Sequence, residues 1–146
     1  MSPNALISPS WADARLALCG FSDRFVTGPP ALQNATQIHT AVVHVVAGGP
    51  DGAWPLPPAQ GDGLWTASPG LPLEVRVADC VPILLWDPAG IVGAVHAGWR
   101  GTAADIAGEA IRVGVARLGL QPAACRVAIG PCISADAFEV GDEVVQ

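Results

Sequence analysis

The sequence predicts a mixed α/β (α+β) domain, on three observations. Residues 73–78, 81–86 and 91–96 form short runs that are nearly continuous in apolar residues rather than alternating, the pattern of strands buried on both faces. Residues 102–118 carry a helical period instead, with Ile106, Ala110, Val113 and Arg117 beside Ala107, Ile111 and Gly114. The chain has 146 residues, 51% of them hydrophobic and 14% charged, which matches one domain that can bury a core of its own. Neither an internal repeat nor a heptad pattern is present.

In chain order, residues 1–15 read as an extended arm and 16–21 as a first short strand. Gly28-Pro29-Pro30 marks a turn, and residues 36–46, the clearest β-branched run of the first half, read as a strand. Residues 48–63, crowded with Gly, Pro and Asp around Trp54, read as a surface loop. The loop is not a domain boundary, because neither side of it is long enough for an independent core. The three apolar runs form the middle of the sheet, and Asp87-Pro88-Ala89-Gly90 is a strong turn between the second and third. Thr102 with Asp105 resembles a weak capping box for the helix, and Gly119 stands just past its end. Residues 126–129 read as another strand, broken by Gly130-Pro131-Cys132, and Ser134 caps a last helix running to Val145.

Charge and composition exclude several function classes. A net charge of −6, from 13 acidic residues against seven arginines and no lysine, repels a polyanion, so no nucleic-acid partner is expected. Apolar stretches fall far short of the ~18 residues of a membrane span, and the start of the chain lacks a basic segment followed by an apolar run. No membrane association and a cytoplasmic location are therefore expected. Cys19, Cys80, Cys125 and Cys132 form no CxxC pair and read as free thiols or ligands rather than bridges. The G-x-S-x-G elbow, H-E-x-x-H, the P-loop and the H-x-E…P-C-x-x-C pattern of nucleobase deaminases are all missing.

Chemistry-bearing side chains gather at strand ends beside glycine turns, where α/β proteins mount their sites. His39, Cys80 and His96 are 41 and 16 residues apart in sequence, spacings too long for a zinc finger. They suit a catalytic zinc, which draws three ligands from separate elements and keeps a fourth position open. The plainer alternative is a pair of hydrogen-bonded histidines and a packed thiol. On a strand of period two, His39 and His44 point to opposite faces, which leaves His44 structural or solvent-facing. Gly98-Trp99-Arg100-Gly101 precedes the helix and reads either as an anion site or as a tight turn with Trp99 in the core and Arg100 solvated. Cys132 reads as a packed thiol or a nucleophile, with packing favoured; Cys19 and Cys125 read as structural.

Val77-Ala78-Asp79-Cys80-Val81-Pro82-Ile83-Leu84-Leu85, His96-Ala97-Gly98-Trp99-Arg100-Gly101, Ile129-Gly130-Pro131-Cys132-Ile133 and Phe138-Glu139-Val140-Gly141 resemble, in order and spacing, the YfiH-type family. This family is also called laccase-like or multicopper polyphenol oxidoreductase. Gln37-Ile38-His39 and Phe21-Ser22-Asp23-Arg24 resemble two further elements of it. The resemblance implies β-sheet layers flanked by helices, and zinc held by His39, Cys80 and His96. It implies phosphorolysis of adenosine, inosine, guanosine and methylthioadenosine to free base and ribose 1-phosphate, together with adenosine deamination. Arg24, Arg100 and Gln37 are the matching candidates for binding substrate or phosphate, and Cys132 a possible second thiol of the site. Copper and polyphenol oxidation belong to the older family name; three histidines in the whole chain are too few to build several His-rich copper sites.

The length predicts one YfiH-type domain over residues 1–146, lacking an insertion between Arg24 and Gln37 and the C-terminal part of the family. Assembly of copies into a homo-oligomer is one expected way to restore missing pocket walls. The competing expectations are a shortened, inactive relative serving as a metal-binding module, and a cysteine hydrolase pairing Cys80 or Cys132 with a histidine.

Overall fold

The computed structural model describes residues 20–21, 33–48 and 60–145. Strands β1 (Val43–Val45), β2 (Gly63–Thr66), β3 (Val81–Asp87), β4 (Ile91–Ala97) and β5 (Arg126–Ile129) form one five-stranded sheet in the order β1-β2-β4-β3-β5. β1 runs parallel to β2, and every other neighbouring pair is antiparallel. Helices α1 (Trp99–Ala103) and α2 (Ile106–Leu118) follow β4, and a 3₁₀ turn (Ala135–Ala137) and α3 (Asp142–Val145) follow β5. The mixed α/β expectation is met.

Two of the three near-continuous apolar runs, 81–86 and 91–96, became the largely buried strands β3 and β4. On one face Val95, Ile91, Ala97, Leu85 and Trp65 pack against Ile106 and Ala110 of α2 and against Leu120. Trp65 is fully buried, and its indole N–H donates to the Ala110 carbonyl at 2.8 Å, which joins β2 to the helix. On the other face Leu64 packs with Val46 and Leu71. His96 alternates with Val95 and Ala97 along β4, so it faces away from α2. The β3–β4 turn is as expected: Gly90 takes φ +89°, and the Asp87 side chain accepts from the Ala89 N–H at 2.7 Å.

The structure corrects several sequence-based elements. Of residues 36–46, only Val43–Val45 is strand. The amides of residues 38–40 are drawn to a side chain rather than to a ladder, and His39 takes φ +59°. Residues 73–78 make only an isolated bridge, Leu73 with Gln33; a little further on, the Gln37 side chain takes the Arg76 N–H that a ladder partner would take. β2 was not expected, and Gly61, Asp62 and Gly63, assigned to a surface loop, are buried.

The single expected helix over 102–118 is two. It starts earlier, at Trp99, and breaks at Asp105, which takes φ +59° and caps α2 itself by accepting from the Gly108 N–H. An aspartate that can bond its own following amides favours such a restart over continuation. Gly119 ends α2 in the left-handed conformation, as expected. The last helix is reduced to the 3₁₀ turn and α3, and Ser134 makes no side-chain cap bond. Residues 1–19, 22–32 and 49–59 lie outside the described residues, and with them the arm, most of the first strand, the Gly28 turn, Cys19, Arg24 and Trp54.

Candidate metal centre

The antiparallel β3–β4 register pairs Val81 with Ala97 and Pro82 with His96, so Cys80, just before β3, and His96, near the end of β4, meet at one end of the sheet. The segment before β1 delivers His39 to the same place. The donor atoms of His39, Cys80 and His96 all lie within 4.8 Å of one another, and among the described residues this is the group of His, Cys, Asp and Glu side chains able to hold a metal ion. His39 is exposed, Cys80 half-buried and His96 buried. The two imidazole rings meet edge to face, with centroids 4.8 Å apart.

Two observations test whether a metal fits. Zinc bonds of about 2.0–2.3 Å would place tetrahedral nitrogen and sulfur ligands roughly 3.3–3.8 Å apart, so donors that lie within 4.8 Å of one another would have to close by about 1–1.5 Å at most to share an ion. The chain also keeps the space clear: a Cβ at Gly98 would come 2.6 Å from His39 Nδ1 and 3.2 Å from Cys80 Sγ, so the backbone passes against the donors where only glycine fits. Two imidazoles and a thiol around a cleared space are a donor set that could hold a metal ion.

Asp62 lies behind the donors, 1% exposed. Its Oδ1 accepts from the His39 N–H at 3.0 Å and faces His96 Nδ1 at 2.7 Å. Its Oδ2 accepts from the Thr40 N–H at 2.7 Å, the Thr40 hydroxyl at 2.9 Å and the Ile38 N–H at 3.3 Å. Burial alone would raise the pKa of this carboxyl, but the bonds from Thr40, His96 and His39 outweigh it and hold the pKa below its ordinary value. The Cys80 thiol is pushed up by burial and by the nearby charges of Asp79 and Asp62, so a bound cation is what would favour its thiolate.

The remaining sequence-predicted residues are arranged differently. Both ends of the Gln37 amide are engaged with the Arg76 main chain, at 2.7 and 2.8 Å, which anchors the segment that carries His39. Trp99 is half-buried at the start of α1 rather than plugged into the core, and the exposed Arg100 guanidinium stacks over its ring at 4.2 Å. Cys132 is exposed, on a segment tied to the site by the Ile133 N–H, which donates to the Asp79 carbonyl at 3.0 Å. Cys80, Cys125 and Cys132 are all free thiols. Cys125 lies just before β5, half-buried. His44 donates through Nε2 to the Gln60 carbonyl at 2.5 Å and is not among the clustered donors. It is separated from His39 because His39 precedes the strand, not because the two share one strand with opposite faces. A groove of about 430 Å³ between β1 and α2, lined by Val43, His44, Glu109 and Arg112 among others, contains none of the three donors.

Asp62 and Thr40 were not singled out from sequence. The available signal was Gly61-Asp62-Gly63 directly before Leu64-Trp65-Thr66, an acidic residue with no room for a side chain on either side. A Cβ at Gly61 would come 2.7 Å from the His44 ring and one at Gly63 2.8 Å from Val43.

Residues 21–146 match the family model described as multi-copper polyphenol oxidoreductase laccase. The chain belongs to this family. It is similar to a purine nucleoside phosphorylase of Deinococcus radiodurans, 43% identical over 110 residues that cover 74% of this chain and 40% of the relative. It is similar to adenosine deaminase RL5 of an unknown prokaryotic organism, 49% identical over 86 residues that cover 58% of this chain and 32% of that one. Among solved structures, the hypothetical protein YfiH of Bacillus licheniformis superimposes with a TM-score of 0.68 at 36% identity, covering 78% of this chain and 45% of the other. The YfiH-type resemblance read from the motifs is thereby met. The chain spans less than half the length of these relatives. Among the described residues, no helix is long and apolar enough to cross a membrane.

Proposed function

We propose that this chain supplies the metal centre of a zinc-dependent purine nucleoside phosphorylase, with His39, Cys80 and His96 as ligands. The reaction is phosphorolysis: phosphate adds to the ribose carbon as the glycosidic bond breaks, giving free base and ribose 1-phosphate. The observation that carries the reading is the convergence of three donors from separate segments on a glycine-cleared space. It is supported by the purine nucleoside phosphorylase name of a relative 43% identical over 110 residues. Adenosine deamination is included because the relative named adenosine deaminase RL5 is 49% identical over 86 residues.

A bound zinc supplies a Lewis-acid charge beside the substrate. The chain's own residues do the rest of the positioning. Phosphorolysis requires a held phosphate and relief of the positive charge that builds on the ribose. Arg100, exposed, stacked on Trp99 and four residues after His96, is assigned to phosphate, with Arg24 as a second. Gln37 acts on the site by anchoring the His39 segment to Arg76. Inosine, guanosine and methylthioadenosine complete the expected substrate range.

The test is metal content per chain, together with phosphate-dependent release of free base from adenosine and inosine and release of ammonia from adenosine, with Cys80→Ala as control. Zinc near one per chain and turnover lost in Cys80→Ala are expected. Bound zinc without turnover leaves a metal-binding module. Turnover that survives a strong chelator points to a cysteine hydrolase and overturns the reading.

A further inference from the structure

We infer that Asp62 is the positioning residue on which both histidine donors depend, one through its ring and the other through its backbone. The inference deepens the metal-centre reading above and rests on it for its functional meaning, but its structural claim concerns the metal-free chain.

The His96 half follows from donor and acceptor chemistry. His96 is 3% exposed, and its Nδ1 lies 2.7 Å from Asp62 Oδ1. A neutral imidazole with Nδ1 against a carboxylate carries its proton there, which leaves the Nε2 lone pair for the donor cluster. The ring is also fixed from its main chain, since the His96 N–H donates to the Asp62 carbonyl at 2.7 Å.

The His39 half follows from the backbone. His39 takes φ +59°, a conformation that side chains other than glycine rarely adopt. It is held because the N–H groups of Ile38, His39 and Thr40 all turn toward one carboxylate, at 3.3, 3.0 and 2.7 Å, a concavity of successive amides that suits an anion. Asp62 Oδ1 is shared between the His39 amide and the His96 ring, so the two donors are set by one oxygen.

Asparagine at this position keeps the shape but carries one acceptor oxygen and one NH2 donor. With the NH2 toward His96, the ring proton moves to Nε2 and the lone pair is lost to the cluster. With the NH2 in the place of Oδ2, donor meets donor at the Ile38 and Thr40 amides and the turn at His39 keeps only one of its three amide anchors. The first orientation also sets the NH2 against the His39 N–H and so disturbs both histidines, and the second disturbs the His39 segment alone.

The experiment measures the tautomer of His96 in metal-free protein by nitrogen–proton correlation spectroscopy of the imidazole ring, and Zn2+ affinity by competition with a chromophoric chelator. The wild-type ring is expected as the Nδ1–H form. Asp62→Asn is expected to lower Zn2+ affinity about 10- to 100-fold, the usual effect of removing such a support. It should also either shift His96 toward Nε2–H or move the amide signals of residues 38–40. Thr40→Val removes only the hydroxyl donor and should keep the wild-type tautomer. Wild-type affinity and an unchanged tautomer in folded Asp62→Asn would overturn the inference. So would an Nε2–H ring in the wild-type protein, which needs no variant to fold. A wild-type chain with the Nδ1–H ring but no affinity for Zn2+ removes the metal reading and leaves the positioning of His96 in place.

Discussion

Gly98 and His39 are in contact so close that the missing side chain defines the site: a Cβ on Gly98 would lie 2.6 Å from His39 Nδ1. His39 is exposed and can swing outward, so the clash is relieved by losing the donor rather than by unfolding the chain. Gly98→Ala is therefore expected to weaken Zn2+ binding by about tenfold or more, on the scale of other changes that misplace a ligand. The melting temperature of the metal-free protein should stay close to wild type. A melt and a chelator competition on the same sample check both halves, and unchanged affinity would contradict the contact.

Metal binding should be visible as stability. An ion that binds only the folded chain adds about 2.7 kcal/mol at a hundred times its dissociation constant. For a domain of ~150 residues that corresponds to a rise of roughly 5–10 °C in melting temperature. A thermal-shift series with Zn2+ should show this rise, a chelator should reverse it, and Cys80→Ala should abolish it.

The interior predicts a different kind of failure. A Cβ at Gly93 would come 2.7 Å from the fully buried Trp65 ring. The ring cannot retreat, because its N–H is bonded to Ala110 and its far side lies against Gly114, where a Cβ would be 3.2 Å away. Gly93→Ala is expected to cost about 1–3 kcal/mol by overpacking. Urea unfolding should show the loss, and a midpoint equal to wild type would mean that the β2, β4 and α2 layers are looser than described.

The break between α1 and α2 can be tested at Asp105, where the side chain caps Gly108 and the backbone is left-handed at φ +59°. Asp105→Ala loses the cap and keeps the strain, for an expected cost of about 1–2 kcal/mol. Asp105→Gly loses the cap but relieves the strain, and should cost only a few tenths. Equal costs in equilibrium unfolding would show that the left-handed turn is not what separates the helices.

His39, Cys80 and His96 were legible because donors of these kinds are scarce here: the chain has three histidines and four cysteines, and the three that matter stand beside turns or strand ends. β3 and β4 were legible because buried strands leave unbroken apolar runs, whereas β5 was read from a short apolar run that is mostly exposed in the structure. β2 was not, since four residues between a glycine-rich segment and Ser68 carry too little period to read. Residues 36–46 misled for a related reason. Their β-branched composition suits a strand, but the amides of 38–40 found a carboxylate instead of a neighbouring strand.

By itself the sequence determined the α/β class, strands β3 and β4, the family and the three side chains that converge as a possible metal-holding group, all of which depend on local pattern or on rare residue types. Only the tertiary structure decided that Asp62, one of 13 acidic residues, lies behind two of those donors. It also decided that His39 is left-handed, that Gly98 clears the space in front of it, and that the long helix is two. All but the helix break, which is set locally by Asp105 and Gly108, come from contacts between distant residues such as Asp62 and His96, 34 positions apart. Periodicity records which face a residue turns to the core, and it carries no record of the distant partner that a buried polar group needs.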